Sequence, residues 1–374
     1  MSFTSIEKAR FLFIQRGEVY LTELLTTIRN AKSEVIINIY HLGFDESGKR
    51  FINALKEISL RNVEVYILID AIGSSLNLDL IISELKCENI KVEVFNEIKF
   101  KDFFNSNRRL HQKSIVIDWD IAFIGGINIT DVSLNETESI PWLDYAIRLN
   151  GEVCKKIIKE ISYYHRAYPE VKNIDMNELQ EKVLIQDFWR TKVGLNREYK
   201  THINNAKKSI TLMNAYFFPG KSFLRQLRKA ARRGVKVTLI LNSNSDNPMI
   251  DWLTKSLYKY LISSGIQVLE WKKSILHSKI ALIDDKWATI GSFNLDYLSR
   301  FSNIELNIST TDPDKVLVIN KEIESIKLDC EKINLEQIKG LAFLYQLRGI
   351  CCLGIYKIGF FFFKNFFINQ KFKD

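Results

Sequence analysis

Short apolar stretches bounded by polar clusters recur along most of this chain. VIINIY (35–40), VEVYILID (63–70) and KVEVF (91–95) are β-branched runs of strand length. Between them, FINALKEISLRN (51–62) and LDLIISELK (78–86) space their apolar residues as a helix does. The order strand, helix, strand predicts parallel strands joined by crossover helices.

The same order returns further along. Asn30-Ala31-Lys32 precedes the first strand, and Asn205-Ala206-Lys207 precedes SITLMNAYFF (209–218). FLRQLRKAARRG (223–234), VKVTLILN (235–242), WLTKSLYKYLISSG (252–265) and IQVLEW (266–271) then follow, so that Tyr40 aligns with Tyr216 and Val63 with Val235. So long a repeat predicts two similar domains and excludes a solenoid. Tyr168-Pro169-Glu170 and the polar KNIDMNELQEK (172–182) mark the weak point, giving domains 1–170 and 171–340 and a tail 341–374.

The repeat extends to residues that carry chemistry. LHQKSIVIDWDIAFIGGIN (110–128) and LHSKIALIDDKWATIGSFN (276–294) share every polar spacing: His111, Lys113, Asp118, Gly125-Gly126 and Asn128 against His277, Lys279, Asp284, Gly291-Ser292 and Asn294. Because side chains on a strand alternate, each His and Lys faces one way while Gln112 or Ser278 faces the other. The return strand and its small-residue turn would bring the asparagine back toward the histidine. The chain has 5 histidines, and His41, His165 and His202 lack this context and read as structural or surface residues.

Two imidazoles, two ammonium groups and two amides meeting about a pseudo-twofold would form one site without a carboxylate cage for a metal, suited to a phosphodiester. No metal or cofactor is expected. Lys+Arg total 53 against 44 Asp+Glu, and the net +9 with a pI near 9.1 favours a phosphate-bearing partner, nucleic acid or anionic lipid. The 5 cysteines have neither zinc-site nor disulfide-scaffold spacing and point to a reducing cytosol. The first forty residues carry charges such as Glu7, Lys8 and Arg10 and no signal-peptide core, so neither a secretion signal nor an amino-terminal span is expected.

As a pattern, HxKxxxxDxxxxxxG(G/S)xN occurs twice, and the chain thereby resembles the phospholipase D superfamily. Within it, HQKSIVIDWDIAFIGGINITD, PWLDYAIRLNGEV and NAYFFPGKSFLRQLRKAARRGVKVTLIL resemble stretches of bacterial cardiolipin synthases, particularly the short type without amino-terminal membrane helices. The resemblance implies an α/β fold of two similar α-β-α sandwich halves with mixed β-sheets, related by a pseudo-twofold and sharing one active site. It implies that His111 attacks phosphorus and His277 serves as general acid and base, with Lys113 and Lys279 in the same catalytic motifs. Asp118 and Asp284 complete those motifs, with the expected work of pinning a turn. Asn128, Asn294, Ser292 and Gly126 are expected against substrate, Gly126 standing where many members carry serine. Asp144 and Glu305, on strands after each motif, are expected to orient the histidines and favour their charged form.

The implied reaction transfers a phosphatidyl group from phosphatidylglycerol, with phosphatidylethanolamine as another donor, to an alcohol, giving cardiolipin through a phosphatidyl-histidine. Hydrolysis of phospholipid or cleavage of nucleic acid is the rival chemistry of the superfamily, and a catalytically dead membrane-binding module is the non-enzymatic one. Nucleic acid is not the expected partner, because the tail is rich in aromatics and basic residues. Lys357, Lys364 and Lys371 would form a narrow stripe on a helix otherwise covered by rings such as Phe360 to Phe363. Arg348, Lys357 and Lys364 break every run before it is long enough to span a bilayer. Peripheral attachment to an anionic membrane surface is expected, on the cytoplasmic side of a bacterial inner membrane. Tyr216, at the carboxyl end of its strand, is expected either to line the lipid entry or to pack. Oligomeric state stays open.

Overall fold

The computed structural model describes residues 11–15, 17–97, 108–134, 142–171 and 180–338. The tail 341–374 and most of the polar stretch after Glu170 lie outside the described residues. In the first half the strands are β1 (Phe11–Gln15), β2 (Glu34–Ile39), β3 (Glu64–Asp70), β4 (Ile90–Phe95), β5 (Arg109–Leu110), β6 (Lys113–Ile117), β7 (Ile121–Gly125) and β8 (Tyr145–Asn150). In the second they are β9 (Glu181–Asp187), β10 (Lys192–Val193), β11 (Ser209–Asn214), β12 (Lys236–Asn242), β13 (Gln267–Trp271), β14 (Lys279–Ile283), β15 (Trp287–Gly291), β16 (Asn303–Thr310) and β17 (Cys330–Lys332).

One sheet runs β1-β8-β7-β6-β2-β3-β4, and the other runs β10-β9-β16-β15-β14-β11-β12-β13-β17. Strand for strand the orders coincide, β10 and β17 being additions at the edges. β2-β3-β4 and β11-β12-β13 are parallel, whereas the motif hairpins β6-β7 and β14-β15 pair antiparallel with their neighbours, so both sheets are mixed. This is the α/β architecture expected from the repeat.

Alternation along the strands builds the layers. Ile36, Val116, Ile124 and Ile147 meet Met213, Ile280, Ile290 and Ile308 in one central core, which also takes Ile157 and Ile161 of helix Glu152–Ile161 and Ile319 and Ile323 of helix Pro313–Leu328. The opposite faces are covered separately. Val35, Ile37 and Ile115 pack against helices Glu18–Arg29 and Glu46–Ser59, and Ile210, Leu212 and Ala281 against helices Gly194–Asn205 and Lys221–Arg232. Each such aliphatic side chain contributes about 1.5–3 kcal/mol on burial.

Two local readings change. WLTKSLYKYLISSG is not one helix: Pro248–Ser256 and Tyr258–Ser263 are separated at Leu257, whose amide bonds to Thr254 one residue closer than an α-helix requires. The strand in SITLMNAYFF ends at Asn214, and Ala215 to Phe218 leave the sheet, where Phe217 bridges to Leu295.

Candidate active site

The ends of the two sheets are stitched together at the histidines. β5 runs parallel to β16 with Leu110 opposite Ile304, and the His111 and Gln112 amides both donate to the Ile304 carbonyl, at 3.0 and 2.9 Å. In the other copy Leu143 bridges Leu276, and the His277 amide donates to the Leu143 carbonyl at 2.8 Å. The next residue after each carbonyl is acidic. Glu305 therefore lies against His111, and Asp144 against His277, so each carboxylate serves the histidine of the opposite half.

His111 Nδ1 is 2.9 Å from both oxygens of Glu305, and His277 Nδ1 is 2.6 Å from Asp144 Oδ2. A ring nitrogen that donates to a carboxylate fixes the tautomer and leaves Nε2 as the reactive atom. Lys279 Nζ also lies 2.8 Å from His277 Nδ1, but one nitrogen cannot donate and accept at once; the carboxylate, being nearer, takes the N–H. The Lys279 ammonium donates instead to the His277 carbonyl, as Lys113 donates to the His111 carbonyl at 2.8 Å. Tyr40 stands edge-on to the His111 ring at 4.8 Å between centroids, and Tyr216 edge-on to His277 at 6.3 Å.

Burial dominates the electrostatics. It pushes both imidazoles down, His277 to about 4, and the neighbouring lysines add to the effect while the carboxylates oppose it. The acids do favour the charged histidines, as expected, but in the free site burial and the neighbouring lysines outweigh them, so the carboxylates aim the rings while desolvation holds both below the usual imidazole range. Lys113 is pushed down to about 7 by burial and by the charge of Lys279, and Lys279 is lowered by burial. Burial pushes Glu305 up, but the His111 imidazole, Lys113 and the Ser292 hydroxyl more than reverse it.

Both histidines open onto one cleft of about 410 Å³, lined also by Tyr40, His41, Arg109, Asn128, Trp142, Tyr216, Asn294, Asp296 and Asn303. Asn128 and Asn294 each have a buried Oδ1 without a partner among the described residues. Lys113 and Lys279 are buried directly behind the histidines. Ser292 departs from its expected place against substrate. Its hydroxyl donates to Glu305 Oε2 at 2.5 Å and accepts from the Leu306 amide at 3.2 Å, so it holds the carboxylate. At Gly126 an added Cβ would fall 2.4 Å from Asp144 Oδ1, so the missing side chain leaves room for that carboxylate and does not mark a substrate contact.

Asp118 and Asp284 lie at the far ends of β6 and β14 from the histidines and touch none of the cleft residues. Asp118 accepts from the amides of Lys32, Ser33 and Glu34 at 2.9, 2.8 and 3.1 Å, and Asp284 from those of Lys207, Lys208 and Ser209 at 2.8, 2.7 and 2.9 Å. They pin the turn as expected and so stand apart from the catalytic grouping of their motifs: each ties its motif hairpin to the start of β2 or β11 through main-chain amides. His165 is buried with Nε2 2.5 Å from Asn38 Oδ1, and His202 stacks on Trp287 at 4.2 Å. His41, by contrast, lines the cleft. Arg109, Asn303 and Asp296 escaped the sequence reading because a search for repetition discards residues without a twin: Ile275 stands opposite Arg109, and Thr130 opposite Asp296.

Comparison with known proteins places this geometry. A family model described as cardiolipin synthase, PLD-like domain, matches residues 24–162 and 199–327. The chain belongs to this phospholipase D-like family. Cardiolipin synthase B of Escherichia coli is 31% identical over 342 residues, covering 88% of this chain and 83% of that protein. Cardiolipin synthase 1 of Staphylococcus aureus is 31% identical over 317 residues, covering 80% of this chain and 63% of that one. Among solved structures, phosphatidylserine synthase of Haemophilus influenzae matches with a TM-score of 0.73 at 16% identity, covering 93% of each chain, a likeness of fold.

Proposed function

We propose that this protein is a phosphatidyltransferase that forms cardiolipin from phosphatidylglycerol, or from another phosphatidyl donor, through a phosphatidyl-histidine. The observation that carries the reading is that His111 and His277, from opposite halves, line one cleft with each Nδ1 held by a carboxylate of the other half. His111 Nε2 attacks the phosphorus of the donor, the bond from phosphorus to the headgroup oxygen breaks, and protonated His277 gives its Nε2 proton to the departing alkoxide. The negative charge of the bound phosphodiester raises the His277 pKa and opposes burial, which supplies that proton. The acceptor hydroxyl then gives its proton back to His277 and attacks phosphorus, and the phosphorus–nitrogen bond breaks. Lys113, Lys279, Asn128 and Asn294 hold the non-bridging oxygens. His111 takes the attacking role from its resemblance to the family.

The division into domains near residue 170 and the attachment of residues 341–374 to an anionic bilayer belong to the same reading. Among the described residues no helix is long and apolar enough to cross a membrane. Phosphatidylglycerol vesicles incubated with the purified protein should yield cardiolipin and glycerol by mass spectrometry. His111→Ala and His277→Ala should each reduce the product by about 10³-fold or more. Cleavage of DNA by a protein that leaves these vesicles unchanged would replace the lipid reading with a nuclease.

A further inference from the structure

The cleft contains one cation that the twofold repeat does not explain. Arg109, on β5, precedes His111 by one strand period, so both side chains leave the same face and both line the cleft. It is 7% exposed. Its Nη1 lies 3.4 Å from Asp70 Oδ1, beyond a good charge-assisted bond, and its buried Nε and Nη2 have no partner among the described residues. Asp70 does not depend on it, since that carboxylate already accepts from the amides of Leu110, Ile72 and Gly73 at 2.8, 3.0 and 3.0 Å. A guanidinium that lines a cavity and keeps donors without a protein partner is a site for a planar or tetrahedral anion.

The reacting phosphate does not need it. Lys113 and Lys279 stand symmetrically behind the two histidines and already attend the group being transferred, whereas Arg109 lies on one side only, with Ile275 at the matching position. We propose that Arg109 binds the phosphodiester of the acceptor lipid, so that the cleft holds two phosphate sites. This rests on the phosphatidyltransferase reading. The product carries two phosphates joined by one glycerol bridge, and one strand period between Arg109 and His111, about 6.6–6.8 Å between Cα atoms, is of that order. Bringing a second anion beside the phosphatidyl-histidine is repulsive, and an off-axis guanidinium offsets the repulsion for a lipid acceptor. Water and small neutral alcohols have no charge for it to hold. Arg109 therefore favours transfer to a phosphate-bearing alcohol over hydrolysis.

Competing acceptors in one tube test this. Phosphatidylglycerol vesicles with added ethanol yield cardiolipin, phosphatidylethanol and phosphatidate, and their ratio does not depend on how much enzyme is folded. Arg109→Gln should lower the ratio of cardiolipin to phosphatidylethanol at least tenfold and raise the KM for the lipid acceptor. Arg109→Lys, keeping the charge without the fork, should fall between. An unchanged ratio, whether the total rate is kept or lost, overturns the proposal and assigns Arg109 a structural part. Failure of the unmutated protein to form any phosphatidyl product would instead remove the reading on which it rests.

Discussion

At Lys113 burial works against charge, and the proposed reaction should show the outcome in its pH dependence. A lysine pushed down to about 7 loses its proton, and its hold on a phosphate, as the pH rises through neutrality. His111, lowered from 6.5, gains a proton and loses its nucleophilic lone pair only in more acidic solution. The profile of kcat/KM, which reports the free enzyme, should fall above about pH 4 as His277 loses the proton the proposed reaction needs, and a second alkaline limb should begin near pH 7 as Lys113 loses its own. Lys113→Arg should carry that limb upward by more than two pH units at some loss of rate, and a limb that stays in place would dissociate it from Lys113. Residues of this kind were legible in the sequence because each has a twin: His111 with His277, Lys113 with Lys279, Asn128 with Asn294. What each twin touches was not legible. Ser292 and Gly126 occupy matched positions yet meet carboxylates of different length, a distinction that exists only after the halves have docked.

The strand that carries most of this arrangement is β16. It pairs with β15 and β9, accepts the His111 and Gln112 amides at Ile304, and presents Glu305 to the His111 ring. Its approach to β15 depends on Gly291, where an added Cβ would lie 2.2 Å from the Leu306 carbonyl oxygen and 2.5 Å from Asn307 Cα. Both are main-chain atoms that cannot swing aside. Gly291→Ala should therefore destabilise the fold by about 1–3 kcal/mol, measured by chemical denaturation, and lower kcat more than KM as Glu305 shifts from His111. The hairpins β6-β7 and β14-β15 could be read directly from alternation and repetition. The two-residue β5 and the lone bridge at Leu143 could not, because so short a segment has no periodicity and its partner is remote in sequence. Those two contacts nonetheless decide which acid meets which base.

Across the whole molecule, two like sheets enclose a shared core and leave the cleft at their common end. The expectation of parallel strands within two similar halves follows from crossover geometry and agrees with both observed sheets. The tail 341–374 is the part whose work is argued from composition alone. Its removal should weaken sedimentation with anionic vesicles by about tenfold, while turnover of detergent-dispersed lipid changes less than threefold, because both histidines and the carboxylates that hold them lie before residue 306. Equal loss in both assays would place the tail within the folded body. The crossed carboxylates have a last consequence during synthesis. While the ribosome is still adding the strand that holds Glu305, the emerged amino-terminal lobe carries a His111 that this carboxylate does not yet aim. On the proposed reading, a prematurely terminated polypeptide should form no phosphatidyl product from phosphatidylglycerol vesicles, and only chains translated past β16 should form it.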